Sequence, residues 1–270
     1  MSVTFQYKKK GVVYKMIMPN TDADKFIESF QKVKEMGEIK SNRSGNTGVG
    51  KTLEDIMNVE ENNLQIPDLF NFEIKSQRNL SESYVTLFTK SPKPPRINNT
   101  LRLKYGSNDE VFNDIKVLHT SVFHSRWNTH MAGYGYRTYV DYENEKLLLK
   151  LKSLETDVEE DFTIYWDFED LNIKLNNKLQ NLAFVKADVS RREDGEYFFF
   201  KECILYTGGL TLNRFLKAIE DDYIMFDVRI GAYKNPNNRA TYGKIHDHGS
   251  GFRIKKQNFL NLYDRELRIT

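Results

Sequence analysis

Residues 41–78 read SNRSGNTGVGKTLEDIMNVEENNLQIPDLFNFEIKSQR and carry two chemical signatures that demand different folds. The first is Gly45-Asn46-Thr47-Gly48-Val49-Gly50-Lys51-Thr52, which satisfies the phosphate-loop pattern G-x-x-x-x-G-K-[ST]. That loop works only where a buried strand feeds it and a helix leaves it, so that backbone N–H groups face the phosphates. The helix is predicted, with Thr52 as its cap and Leu53, Ile56 and Met57 as an apolar stripe. The strand is not. Residues 38–44 read EIKSNRS and hold a single apolar residue, Ile39, whereas a central parallel strand is a near-continuous apolar run. Nor does an apolar run ending in Asp follow downstream to hold the metal of such a site. The stretch therefore reads as a Gly-rich turn into a helix.

The second signature is Pro67-Asp68, four residues, then Glu73-Ile74-Lys75, a spacing that suits a Mg²⁺-dependent phosphodiesterase. Residues 62–67 are a turn-rich lead-in, and Leu69, Phe70, Phe72 and Ile74 predict a strand over residues 69–76. Alternation along a strand puts Glu73 and Lys75 on one face and Phe72 and Ile74 on the other. Two charged residues on one face of a core strand are costly unless they serve a site, and Asp68 at the strand's start can bend to the same side. Mg²⁺ takes oxygen ligands, often one or two carboxylates plus a substrate phosphate. A neighbouring lysine can orient or help deprotonate the attacking water. Glu54, on the preceding helix, is a candidate fourth member. The bland alternative is a surface strand with an ordinary Glu–Lys pair.

A third informative stretch lies near the C-terminus. Asp227 and Arg229 alternate on one face of a predicted strand, and His248 and Arg253 flank a turn made flexible by Gly249 and Gly251. Such side chains can read base edges: Arg matches guanine O6 and N7, and Asp accepts from cytosine N4. A metal site at His246, Asp247 and His248 is the rival reading, disfavoured by the adjacent arginines. The net charge of +2 hides an uneven distribution. Residues 141–170 hold 11 acids against 3 bases, whereas residues 229–270 hold 9 bases against 3 acids. A basic C-terminal segment suits an anionic partner.

The rest of the chain sets the frame. With 270 residues and 39% hydrophobic content, it is long enough for one large domain or two subdomains around a real core. The 18 Phe and 15 Tyr favour β-structure. One cysteine, Cys203, excludes an intramolecular disulfide framework and fits a reducing, cytoplasmic setting. No signal-peptide pattern or membrane-spanning run is expected. Residues 1–18 predict a hairpin with turn lysines Lys8, Lys9 and Lys10 at a solvated tip, and residues 22–38 a helix ended by Gly37. A short helix is predicted over residues 108–118. The proline-rich loop 91–96 is either a DNA clamp or a connector. His119, His124 and His130 lack metal-helix spacing and read as packing or phosphate contacts.

The runs G-x-T-G-V-G-K-T-L-E-D, P-D-L-x3-E-I-K-S and D-x-R…H-x-H-G-[ST]-G-F-R together resemble the MvaI/BcnI family of restriction endonucleases, relatives of the mismatch-repair nickase MutH within the PD-(D/E)xK nucleases. The resemblance implies an α/β fold with a restriction-endonuclease-like core, a mixed central sheet and two subdomains flanking a DNA cleft. A catalytic subdomain over residues 1–180 and a recognition subdomain over residues 181–270 are expected. It implies a Mg²⁺-dependent, sequence-specific type II endonuclease. Glu54, Asp68, Glu73 and Lys75 would be catalytic; Asp68, Glu73 and the Ile74 carbonyl would hold metal; Asp227, Arg229, His246, His248 and Arg253 would contact G:C pairs. It also implies double-stranded DNA as partner, action as a monomer, no membrane, and a cognate DNA methyltransferase only as a genetic partner. A MutH-like nickase, a nucleotide-binding protein using Gly45–Thr52 residues, and a non-catalytic DNA-binding protein are the alternatives.

Overall fold

The computed structural model describes residues 4–9, 12–17, 21–43, 45, 47–59 and 67–270, the first two segments by backbone alone. Strands Thr4–Lys9 and Val12–Ile17 pair antiparallel, so Lys8 and Lys9, expected in the turn, end the first strand; Lys10, Gly11 and residues 62–66 of the lead-in lie outside the described residues. The chain forms two compact units. One comprises Met1–Ser83, Lys174–Thr211 and Phe259–Thr270; the other comprises Tyr84–Ile173 and Leu212–Asn258. Both are discontinuous in sequence, whereas a contiguous split after residue 180 was expected. The difference arises because the strand Glu73–Arg78 pairs with Leu182–Arg192, far along the chain.

The first unit is built on a mixed sheet in the order Arg265–Ile269, Gly195–Thr207, Leu182–Arg192, Glu73–Arg78, with Glu38–Lys40 also pairing Gly195–Thr207. Among the described residues of this sheet, only the Glu73–Arg78 to Leu182–Arg192 pairing is parallel. Helix Asp22–Glu35 starts at a capping box, in which the Thr21 hydroxyl accepts from Asp24 N–H and the Asp24 carboxylate accepts from Thr21 N–H. Its stripe Phe26, Ile27, Phe30 and Val33 packs on one sheet face with Val49, Leu53, Ile74, Val185 and Phe198. Gly37, at φ +70°, follows the helix. On the other face Phe184 and Tyr206 pack in tilted contact with Phe259, with Tyr263 beside Tyr206.

In the second unit, one sheet runs Val85–Thr89, Gly251–Ile254, Ile224–Ala232, Lys116–Val122, Ser107–Asn108, and a four-stranded sheet holds Lys146–Ser153 and Tyr134–Asp141 at its centre. Residues 108–118 are not helical. They join two strands, and the helix lies earlier, at Ile97–Tyr105. The proline-rich loop is tied down, since Lys93 pairs with Tyr165 through the backbone and with Asp167 and Asp170 through its ammonium. No helix among the described residues is long and apolar enough to cross a membrane. Phe252 is fully buried, with ring centroids 5.1 Å from Phe88, Phe215 and Phe226 and 5.2 Å from Trp166. Removing a buried ring leaves a cavity that a close-packed core fills only in part, at about 3–5 kcal/mol. Phe252→Ala is expected to lose stability of that order in a denaturant titration.

Candidate functional site

The Gly-rich motif falls at the start of helix Gly48–Ile56. Thr47 stands at its N-cap position without a side-chain cap bond; Thr52, expected to cap, is buried mid-helix and accepts from Asn42 N–H. The strand before it, Glu38–Lys40, is short and antiparallel to its neighbour. Lys51 pairs with Asp55 at 2.9 Å. Asn46, in the middle of the motif, lies outside the described residues. This is not the buried parallel strand–loop–helix unit that a nucleotide site requires.

The site strand begins at Glu73, not at Leu69. Leu69 and Phe72 instead exchange both backbone hydrogen bonds, at 3.1 and 2.8 Å, across a tight turn. Phe70 and Asn71 at its tip have φ of +46° and +62°, the left-handed pair of a type I′ turn. A phenylalanine there is strained. The turn folds the chain back so that Asp68 Oδ2 accepts the Ile74 N–H at 2.8 Å. Asp68 is thereby held beside Glu73, six residues of chain closed by one charge-assisted bond.

Glu73 is 1% exposed. Its Oε1 receives Lys75 Nζ at 2.6 Å. Its Oε2 lies 3.2 Å from Lys178 Nζ but outside hydrogen-bonding geometry, so that buried oxygen has no hydrogen-bond partner. Burial pushes the Glu73 carboxyl above the usual range; the Asp68 charge adds to this, and Lys75 and Lys178 oppose it. Ile74, between Glu73 and Lys75, is buried in the opposite core. An orphaned carboxylate oxygen beside a second carboxylate is an oxygen donor set that a hard divalent cation accepts, so these residues fit a metal. Glu54 is half-buried, with its Oε1 near Gly50: a Cβ on Gly50 would lie 3.7 Å from it and 3.5 Å from Ser76 Oγ. The helix thus brings Glu54 toward the site strand one residue beyond Lys75. Among the described residues no three His, Cys, Asp or Glu side chains gather in metal-ligand geometry, so Glu54 is not clustered with Asp68 and Glu73 as a third ligand. Lys178, at the end of helix Phe168–Lys178, escaped sequence reasoning because it is remote in sequence and sits in no motif.

The predicted base-reading residues lie in the second unit. Strand Ile224–Ala232 buries Phe226, Val228 and Ile230 on one face and leaves Asp227, Arg229 and Gly231 on the other. Arg253 Nε stands 2.9 Å and Arg229 Nε 3.6 Å from Asp227 Oδ2. Burial lowers the Arg253 pKa. The Asp247–Gly251 region is not loose. Asp247 Oδ1 accepts from Gly249 and Ser250 N–H and its Oδ2 accepts from Asn98, while Ser250 Oγ accepts the Arg229 N–H. Asp247 is therefore committed to the turn, and the rival metal reading at His246, Asp247 and His248 has no ligand cluster. His246 stacks on Tyr233 at 4.5 Å and lies 4.3 Å from the His248 ring. His119 and Ser121 pair in register with Arg229 and Asp227, and line with them a depression of about 500 Å³. Single-sequence reading had no means to find that partnership, which strand register creates.

The profile of the MvaI/BcnI restriction endonuclease family matches residues 27–263. The chain belongs to that family. It is a sequence-specific type II restriction endonuclease acting on DNA. A solved complex of the restriction endonuclease MvaI with its cognate DNA substrate is similar at 34% identity and a TM-score of 0.82, covering 94% of this chain and 100% of that one. MvaI in the absence of DNA is similar at 32% identity and a TM-score of 0.60, with the same coverage. No curated protein sequence matches. The likeness to these structures agrees with the mixed α/β fold expected for the endonuclease. A divalent metal ion is general to the family.

Gly231 supplies a test of the predicted base-reading face. A Cβ there would stand 2.7 Å from His248 Nε2, so only glycine leaves the imidazole its place. The far end of a side chain moves readily, so Gly231→Ala is expected to keep the melting temperature near wild type while displacing His248. Affinity for the cognate duplex should fall more than affinity for a scrambled one in parallel titrations.

Proposed function

We propose that Asp68 and Glu73, with the Ile74 carbonyl, hold Mg²⁺, that Lys75 is the catalytic lysine, and that Glu54 supports the site from its helix. The observation that carries this reading is the buried Glu73 carboxylate, with Lys75 on one oxygen and no hydrogen bond on the other. When bound, the ion supplies Lewis-acid stabilisation of phosphate charge and a more acidic water. Asp68 is preorganised for its part by the Ile74 N–H. Lys75 spends one of its three N–H donors on Glu73 and keeps the others for orienting the attacking water and the charge that grows on the phosphate. The Glu73 contact fixes the direction of the ammonium, which lowers the cost of reaching the reactive arrangement.

The second unit reads the sequence. Asp227, Arg229, His246, His248 and Arg253 contact G:C pairs of double-stranded DNA, with Arg on guanine and Asp on the paired cytosine. Asp227 also holds the guanidinium of Arg253. The enzyme acts as a monomer in the cytoplasm and has a cognate methyltransferase only as its genetic partner. Support comes from the similarity to MvaI in complex with cognate DNA. Digestion of unmethylated phage DNA with and without Mg²⁺, followed by sequencing of the ends, tests the reading: defined ends that need the metal are expected, and random or metal-independent ends overturn it.

Lys75→Ala is expected to abolish cleavage with little loss of DNA binding in Ca²⁺, because the lysine acts on the transition state more than on the ground state. Lys51→Ala, by contrast, should stay within about tenfold in rate, roughly 1.4 kcal/mol of barrier. Single-turnover cleavage alongside a binding titration separates the two. Arg229→Ala should lower affinity for the cognate duplex by roughly 1–3 kcal/mol and barely affect a scrambled one. It is the better probe than Arg253, since Arg253 remains on Asp227 after the change. Lys255→Ala should weaken both duplexes alike and reduce the salt slope by about one.

A further inference from the structure

We propose that Lys178 is a resident cation of the acidic pair, which a divalent ion must displace to engage Asp68 and Glu73 together. The inference rests on the metal assignment above. Lys178 Nζ stands 3.2 Å from Glu73 Oε2 and 4.0 Å from Asp68 Oδ1. Those two oxygens belong to different carboxylates, and the ammonium lies within ion-pair range of both, as a bridging ion would. Lys75 does not share this position, being on the other Glu73 oxygen. Two carboxylates and two ammoniums balance in formal charge before any metal arrives.

The position of Lys178 is built into the fold. It is the last residue of helix Phe168–Lys178, where a cation complements the helix dipole. The next residue, Leu179, is fully buried, donates to the Leu175 carbonyl and accepts from the buried Tyr263 hydroxyl at 3.0 Å. The backbone that carries Lys178 is thus pinned, while its four-carbon stem has the rotatable bonds through which the ammonium can move. About a fifth of the side chain remains exposed, so a path to water exists. A divalent ion placed between the same oxygens would meet the ammonium at close range, and the like-charge repulsion favours exchange over coexistence. Metal affinity therefore carries the cost of expelling Lys178, and by linkage the ammonium and the metal oppose each other by the same factor.

The test is a Ca²⁺ titration by calorimetry on the DNA-free full chain, with Asp68→Asn as the control for the site. Lys178→Met and Lys178→Gln are expected to bind Ca²⁺ roughly tenfold more tightly than wild type, whereas Lys178→Arg, which keeps the charge, stays near wild type. Melting temperatures in EDTA and in Ca²⁺ give a second readout. The neutral variants should melt lower than wild type in EDTA, because a buried carboxylate loses its counter-ion, and recover in Ca²⁺. A merely structural lysine would lower both melting temperatures alike and leave affinity unchanged. Unchanged or weaker Ca²⁺ binding by the neutral variants overturns the proposal, as does a neutral variant that fails to fold and is not rescued by Ca²⁺. Wild-type Ca²⁺ binding that is absent or indifferent to Asp68→Asn removes the metal assignment along with it, a result distinct from failure of Lys178 alone.

Discussion

The carboxylate of Glu73 is the constraint around which the first unit is arranged. A carboxylate removed from water is tolerated only when charge of the opposite sign is held close. Here one ammonium comes from two residues along the same strand and another from the end of a helix remote in sequence. Burial still pushes its proton affinity up. An arrangement chosen for stability alone would have an apolar residue at this position, like Ile74 next to it. The retained charge is what the proposed metal assignment accounts for.

The second unit has a comparable arrangement with a different outcome. Asp227 draws in Arg253, and the backbone of Arg229 is held by Ser250. The side chains that face outward from strand Ile224–Ala232 are therefore presented on a rigid platform. Rigid presentation matters for base readout, since a guanidinium must meet two acceptors at once. The Asp247 turn contributes to that rigidity, its carboxylate being taken up by Gly249, Ser250 and Asn98.

Much of this was legible in the amino-acid order. Alternation separated Glu73 and Lys75 from Phe72 and Ile74, and the single apolar residue before Gly45 argued against a nucleotide site. Local composition misjudged residues 69–72, where β-friendly aromatics occupy a turn with two positive-φ residues; the tertiary need to fold Asp68 back outweighed propensity. It also misjudged residues 108–118, whose polar spacing resembles a helix but which joins two strands. Lys178, and the pairing of His119 with Arg229, depend on helix placement and strand register, and neither leaves a periodic trace. The discontinuous units were hidden for the same reason, since a parallel strand pair needs a long crossover but does not announce its partner.

That crossover has a consequence for the timing of synthesis. The Asp68, Glu73 and Lys75 codons are read early, yet Leu182–Arg192 is the strand that receives Glu73–Arg78. Until that later strand has left the ribosome, Glu73 has no sheet to be buried against and no Lys178 beside it. Contacts so distant along a chain form late. A nascent or truncated chain ending before residue 182 therefore carries the full acidic motif without the strand that buries it. The order in which the polypeptide emerges thus delays assembly of the Glu73 environment until after the strand Leu182–Arg192 has emerged.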